Sequence, residues 1–548
     1  MKRRLLALAF VAAAVAAAPV VPSRAEEPVR YRFSFPAPAD RWMQVDATFT
    51  GLQTAPLELR MSRSSPGRYG EHDFAKEVYD VRAYAPDGRQ LRTDRPDDSG
   101  WRVPAHEGAV TLKYKVRGDR LDGTYLAIDS SHAHINMPAA IMWGRGLDDR
   151  PAALTFDPPD GASWQVATQL FGAYGDGSPY DPRRPVPDPR TPVPDVYEFT
   201  APNLQYLMDS PVELGPLTIE TFTVGPRAFR LAVHHTGTAN EVKAVVGDVA
   251  KIVQQQGAIY GEFPSFETGA YTFLVDYLPR ASYDAMEHRN STVITAPGSI
   301  TTSRIDLLDS VAHEFFHAWN VERIRPRSLE PFDLDRANAS AELWLAEGFT
   351  QYYGPLVLQR AGIVDLRYTA GVFTSLLDTI GAARGRLTRS AEEISRMAVV
   401  TDSGVADRSS GIGDVSYYHL GAAIALALDL SIRQRSNGQS SLDDFMEEMW
   451  SRYGKPGGAR QGYVDRPYTM ADVEATLAVI TDERFARDFF DRYVEGRELA
   501  DYRQLLSPAG FLVRRAQGGS LEVVAVESAG GTLTGAQRAF RDSWLGPK

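Results

Sequence analysis

From residue 30 to about 170, apolar and polar positions alternate in short runs, as in Tyr31-Arg32-Phe33-Ser34-Phe35, Leu57-Glu58-Leu59-Arg60-Met61 and Val110-Thr111-Leu112-Lys113-Tyr114. A period of two buries one face of a strand. Turn signals such as Pro86-Asp87-Gly88 and Pro159-Asp160-Gly161 separate the runs, so the pattern predicts an N-terminal β-rich domain. Residues 179–194 hold seven prolines, which remove backbone donors and fix φ, and predict an extended surface segment near a domain boundary. After Gly215 the pattern becomes mixed, with strands near 219–224, 229–233 and 271–277 and a helix over 240–255 whose Val242, Val245, Val246, Val249 and Ile252 recur at helical spacing. From Ser303 onward helices dominate: one through His313 and His317, others over 343–358, 417–433, 469–480 and 483–494, and one started by the cap Ser441-x-x-Asp444 and ending near Trp450. A strand over 521–526 follows. The expected organisation is multidomain α+β: a leader over 1–25, a β-rich domain over 26–205, a mixed α/β domain ending in a helical subdomain over 206–505, and a short C-terminal segment over 506–548.

Composition narrows this picture. With 548 residues, 43% hydrophobic and 24% charged, the chain is of ordinary globular character and long enough for several cores. Lys2, Arg3 and Arg4 precede an apolar run over 5–18, and Ser23-Arg24-Ala25 offers a small-residue cleavage site. These are the parts of a secretory signal cut after Ala25, which implies a periplasmic or secreted protein. No later stretch of 18 apolar residues is found, so the mature chain is expected to have no integral membrane span. Cysteine is absent, which excludes disulfides, thiolate ligands and a cysteine nucleophile and leaves His and carboxylates to hold any metal. Beyond Ala25 there are 55 basic and 70 acidic residues, an imbalance that argues against nucleic acid as a partner.

The chemistry concentrates at His313-Glu314-Phe315-Phe316-His317. On a helix, residues four apart share a face, so both imidazoles reach one Zn²⁺ while Glu314 reaches the attacking water. With 10 histidines in the chain, HExxH arises by chance only about 0.01 times in this length, which disfavours coincidence. Protein-bound zinc needs a third donor and an open position for chemistry. Thirty residues on, Leu343-Trp344-Leu345-Ala346-Glu347-Gly348-Phe349-Thr350 places a carboxylate inside an apolar helix, costly unless paired or metal-bound. His313, His317 and Glu347 are the expected metal ligands.

These motifs resemble the glycyl aminopeptidases, zinc peptidases of the thermolysin-like gluzincin group. His313-Glu314-Phe315-Phe316-His317-Ala318-Trp319-Asn320-Val321 with Arg323-Ile324-Arg325-Pro326 is similar to their zinc helix, and Trp344 to Tyr353 to their third-ligand segment. Asp209-Ser210-Pro211-Val212-Glu213 and Val415-Ser416-Tyr417-Tyr418-x-x-Gly421 add to a likeness running from about residue 30 to about 510. The resemblance implies a thermolysin-like catalytic domain with one Zn²⁺ per chain. Ala285-Met286-Glu287-His288 is similar to the family segment whose Glu binds the free α-ammonium of a peptide, which implies Ala285, Met286, Glu287 and His288 as substrate-binding residues and Glu287 as the anchor of an exopeptidase. Tyr418 matches the oxyanion-stabilising tyrosine and is preferred over its neighbour Tyr417. Two departures stand out: Asp284 where the family usually has Gly, expected either to crowd the substrate or to add a second anion for the amine, and Leu420 where it has Lys. Family members often carry a PDZ module, of which 506–548 is long enough only for a remnant.

The expected activity is therefore removal of N-terminal residues, Gly or Ala by resemblance, from peptides with a free N-terminus, with Glu314 as general base and Tyr418 as oxyanion donor. An endopeptidase of the same clan and a non-catalytic peptide-binding protein are the alternatives. His132-x-His134 and His234-His235 are discounted as a second metal site because neither pair has a nearby carboxylate cluster. Arg323 and Arg325 are read equally as ligands for a substrate carboxylate or as salt bridges around the zinc helix. Phe315-Phe316 and Tyr352-Tyr353 are expected to be core.

Overall fold

A computed structural model describes residues 27–53, 56–172, 196–402, 415–516 and 519–548. The expected leader and the proline-rich segment lie outside these residues. The N-terminal part is β-rich, as the alternation predicts. Val29–Ala37 and Trp42–Phe49 bury every second side chain and form the middle of an eight-stranded sheet, flanked by Ala152–Asp157 on one side and Val110–Arg117 on the other. A four-stranded sheet runs Gln165–Thr168, Val212–Gly215, Ala133–Ile135, Leu126–Ile128. Its strand Val212–Gly215 carries the β domain about ten residues past the expected boundary.

The second part is built on a five-stranded sheet in the order Thr218–Val224, Arg227–His235, Ala270–Tyr277, Ser291–Ala296, Asp284–His288. The three inner strands are parallel and the two outer ones antiparallel to their neighbours. Ala270–Tyr277 and Ser291–Ala296 are buried at every position, the mark of strands covered on both faces. One face carries helices Ala239–Ile259 and Arg304–Phe316, joined in a core through Val242, Val249, Phe273, Leu308 and Phe315. The other face meets the β domain, where Ala167 packs with Ala232, Leu274 and Val293. A capping box of Thr238 and Glu241 starts the first of these helices, satisfying two amides that would otherwise lack partners.

The helical subdomain holds Gly348–Arg360, Leu366–Ala382, Tyr417–Arg435, Leu442–Met449, Met470–Ile480 and Glu483–Phe489. Helix 343–358 is interrupted at Glu347, which joins Leu343–Ala346 to Gly348–Arg360. Residues 506–548 add the hairpin Phe511–Arg515 with Leu521–Ala525 and the helix Gly535–Leu545 to this same core. Trp544 is fully buried; its indole N–H donates to the Tyr352 hydroxyl at 2.8 Å, and its carbonyl accepts from Arg360 at 3.0 Å. Truncating so large a buried ring costs about 3–5 kcal/mol. Trp544→Ala is therefore expected to shift the urea midpoint of this whole part of the chain, and an unchanged midpoint would refute this integration.

Candidate active site

His313 lies in the last turn of helix Arg304–Phe316 and His317 caps it. His317 Nδ1 donates to the carbonyl of Asn320 at 2.6 Å, which fixes the tautomer and leaves Nε2 as a lone-pair donor. The same Asn320 uses its amide to bond the carbonyls of Leu345 and Ala346 and the Thr350 hydroxyl. One asparagine thereby clamps the histidine helix to the segment bearing Glu347. On the opposite side Gly348 and Gly421 make a helix crossing with no room for a side chain: a Cβ on Gly421 would fall 2.1 Å from the Trp344 carbonyl. This close approach brings the start of helix Tyr417–Arg435, and with it Tyr418, next to Glu347.

The three expected ligands converge. His313 Nε2 and His317 Nε2 are 3.2 Å apart, and Glu347 Oε2 is 3.6 and 3.3 Å from them. A tetrahedral ion with zinc-type bonds holds its ligands about 3.3 Å apart, so the donor set fits zinc. Glu347 is only 1% exposed. Burial opposes its charge, but His317 and His313 hold its carboxyl well below the usual carboxylate range. His317, for its part, is disfavoured as a cation by burial yet raised to about 10 by Glu347 and Glu287. A divalent ion held by these three side chains would answer both demands at once. The other oxygen of Glu347 accepts from the Tyr69 hydroxyl at 2.6 Å.

Glu314 and Glu287 are buried, and each places a carboxylate oxygen within 4.8 Å of a His317 nitrogen and of the other. Burial pushes Glu314 well above the usual range, and it pushes Glu287 up to about 8 with help from Glu347 and Glu322. Glu314 Oε2 has no hydrogen-bond partner among the described residues. Of the two tyrosines, Tyr417 is committed, donating to Asp402 at 2.7 Å. Tyr418 is half-buried, its ring 6.1 Å from that of His313. Leu420 is buried in the core, and a different cation, Arg68, acts electrostatically on Tyr418.

Four expectations are corrected. Met286 and His288 are completely buried, and His288 is hydrogen-bonded to Asp209 at 2.9 Å. They alternate with Glu287 along the edge strand and hold it in place instead of lining the cleft. The carbonyl of Ala285 is taken by Arg68 at 3.2 Å. Asp284 neither crowds the site nor offers a second anion, because it pairs with Arg68 at 2.5 Å and accepts the Gly123 amide at 2.9 Å. Finally, His132, His134 and His234 do have carboxylates beside them: Glu213 and Asp276. Arg323 and Arg325 are structural, the first bonding the carbonyls of Arg289, Ala318 and Ser265, the second pairing with Glu322 and Glu330. Phe315, Phe316, Tyr352 and Tyr353 are core.

The loop carrying Gly67, Arg68 and Tyr69 belongs to the β domain and was not legible as part of the site. Gly67 adopts φ +77°, and a Cβ there would meet Met286 and Glu287 within 3 Å, so the loop lies directly on the edge strand. A cavity of about 30 Å³ beside Glu287 is lined by Gly67, Tyr69, Val321 and Glu322.

Fold and site together define a zinc metalloaminopeptidase. Residues 30–216 match the peptidase M61 N-terminal domain and residues 306–424 the M61 glycyl aminopeptidase domain; the chain belongs to the M61 glycyl aminopeptidase family. An aminopeptidase N family protein from Idiomarina loihiensis has a similar fold, with a TM-score of 0.78 over 89% of this chain and 79% of that one at 24% identity. An M1 zinc metallopeptidase from Deinococcus radiodurans aligns with a TM-score of 0.50 over 88% and 97% at 16% identity. Comparison with curated proteins gives no match.

His72, in the same loop, stacks on Phe74. Burial, reinforced by Arg68, lowers its pKa to about 4, against about 6.5 in an unfolded chain. Between these values the unfolded state binds the extra proton, so stability falls as pH drops from about 6.5 to about 4, by at most about 1.4 kcal/mol per pH unit. Urea melts across that window are expected to show the loss in the parent protein and a shallower slope in His72→Gln; equal slopes would contradict the assignment.

Proposed function

We propose that this protein is an exported aminopeptidase that removes single N-terminal residues, Gly or Ala preferred, from peptides with a free N-terminus. The observation that carries the reading is the convergence of His313, His317 and Glu347, with the carboxylates of Glu287 and Glu314 beside His317. One zinc ion held by the first three would supply Lewis acidity toward the scissile carbonyl and the attacking water. Glu314, buried and with Oε2 unpartnered among the described residues, takes the proton of that water and returns it to the leaving amine. Tyr418 donates to the oxyanion, since Tyr417 is occupied by Asp402. Glu287 receives the α-ammonium, a charge-assisted contact that sets cleavage one residue from the end. The preference for Gly or Ala rests on the resemblance of the motifs to the glycyl aminopeptidases. Export rests on the sequence of residues 1–25, which predicts that mature chain recovered from the host periplasm or medium begins at Glu26.

A panel of aminoacyl chromogenic substrates beginning with Gly and Ala, each with and without N-acetylation, tests the reading. Glu314→Gln is expected to lower kcat by about 10²–10⁴, and Glu287→Gln to erase the advantage of the free amine. Equal hydrolysis of free and acetylated peptides by the parent protein would favour the endopeptidase alternative. Tyr69→Phe keeps the ring but removes the hydrogen bond to Glu347; competition with a chelator is expected to show zinc affinity weakened about 10–100-fold. Unaltered affinity would remove Tyr69 from the site.

A further inference from the structure

A second group of metal-type donors lies outside the active site, buried between the two domains. In the β domain, His134 and Glu213 are direct cross-strand partners on Ala133–Ile135 and Val212–Gly215. In the catalytic sheet, His234 and Asp276 are direct partners on Arg227–His235 and Ala270–Tyr277. They lie on the face that also presents Ala232 and Leu274 to the β domain. His132, just before its strand, completes the group, its ring 4.4 Å from that of His234. Ligating atoms of His132, Glu213, His234 and Asp276 all lie within 4.8 Å of one another.

Hydrogen bonding alone does not account for this arrangement. His132 Nε2, Glu213 Oε1, His234 Nδ1 and Asp276 Oδ1 are each buried without a well-formed hydrogen bond among the described residues, the nearest approaches being those of Asp276 to His234 and to Glu213. Unpaired buried polar atoms are costly, and four from four converging residues call for a shared partner. The remaining atoms are arranged to support such a partner. His134 Nδ1 lies 3.0 Å from Glu213 Oε2, which leaves Oε1 as the free oxygen. Asp129 lies 3.3 Å from His132 Nδ1 and is itself paired with Arg280, which also touches that nitrogen. Donation from His132 Nδ1 to Asp129 would leave Nε2 with its lone pair, whereas acceptance from Arg280 would put the proton on Nε2; a metal at Nε2 selects the first tautomer. His234 Nδ1 and Asp276 Oδ1 stand 3.4 Å apart, about the separation of two ligands on one tetrahedral ion.

We propose that His132, Glu213, His234 and Asp276 form a second, structural zinc site that joins the β domain to the catalytic sheet. Two neutral imidazoles, two carboxylates and one divalent ion sum to zero charge, which suits a site closed to solvent. The two imidazoles favour zinc over magnesium or calcium. In a chain with no cysteine, histidine and carboxylate are the donors available for such a staple. The chain would then hold two zinc ions with different duties.

Zinc alone is the probe. Full-length protein is equilibrated with ZnSO₄, freed of excess by gel filtration and assayed for zinc by mass spectrometry, alongside Asp276→Asn, the pair His317→Ala with Glu347→Ala, and all three substitutions together. The expected contents are two, one, one and no equivalents. Added zinc is also expected to raise the thermal midpoint of the His317→Ala, Glu347→Ala protein. One equivalent in the parent and none in that pair, with a midpoint indifferent to zinc, would overturn the proposal. Because the pair variant leaves the inter-domain cluster intact, it decides the matter even where Asp276→Asn does not fold. Loss of peptidase activity in any variant does not enter the count, so failure here is separable from failure of the functional reading.

Discussion

A carboxylate at 1% exposure cannot stand alone, and Glu347 is the point at which this constraint bears on the whole catalytic part. It is satisfied only by bringing two imidazoles from one helix and a tyrosine from the other domain to within bonding range. The fold supplies that convergence through rigid contacts. Asn320 ties the histidine helix to the carbonyls just before Glu347, and the Gly348–Gly421 crossing leaves no slack between helices. The break in the helix at Glu347 belongs to the same geometry: the ligand sits at a junction, where its backbone is not bound to continue one straight axis.

The β domain is part of the active centre. Tyr69 bonds the expected metal ligand, Arg68 neutralises Asp284 and biases Tyr418, and Gly67 rests on the strand bearing Glu287. The interface behind them mixes apolar packing around Ala167 with histidines and carboxylates that meet from both sheets. Breaking one partner from such a buried group is more costly than never having formed it, so the two domains are expected to unfold together.

Much of this was legible in the sequence, and the reasons differ by element. Strands such as Val29–Ala37 and the helix Ala239–Ile259 announce themselves because one face is apolar and the other polar. The HExxH pair is legible because helical geometry makes sequence spacing equivalent to proximity. Glu347 could be found because an acidic residue in an apolar helix demands a partner. Tyr69 and Arg68 could not: they stand 278 and 216 residues from their partners, and nothing local to them is unusual. The cluster around His132 and His234 is hidden from the sequence for the same reason, since Glu213 and Asp276 arrive through tertiary folding and not along the chain. Alternation also corrects the substrate segment, because only one face of Ala285-Met286-Glu287-His288 can look into the cleft.

The positive φ of Gly67 has a consequence for how such an enzyme diversifies. The wall behind Glu287 is a short turn borrowed from the neighbouring domain, whereas His313 sits on a helix packed into the core. Lengthening a surface turn costs little entropy, while moving a helix disturbs everything packed on it. Insertions near residue 67 are therefore the economical route by which descendants could alter what fits beyond the first residue while inheriting an untouched reaction centre.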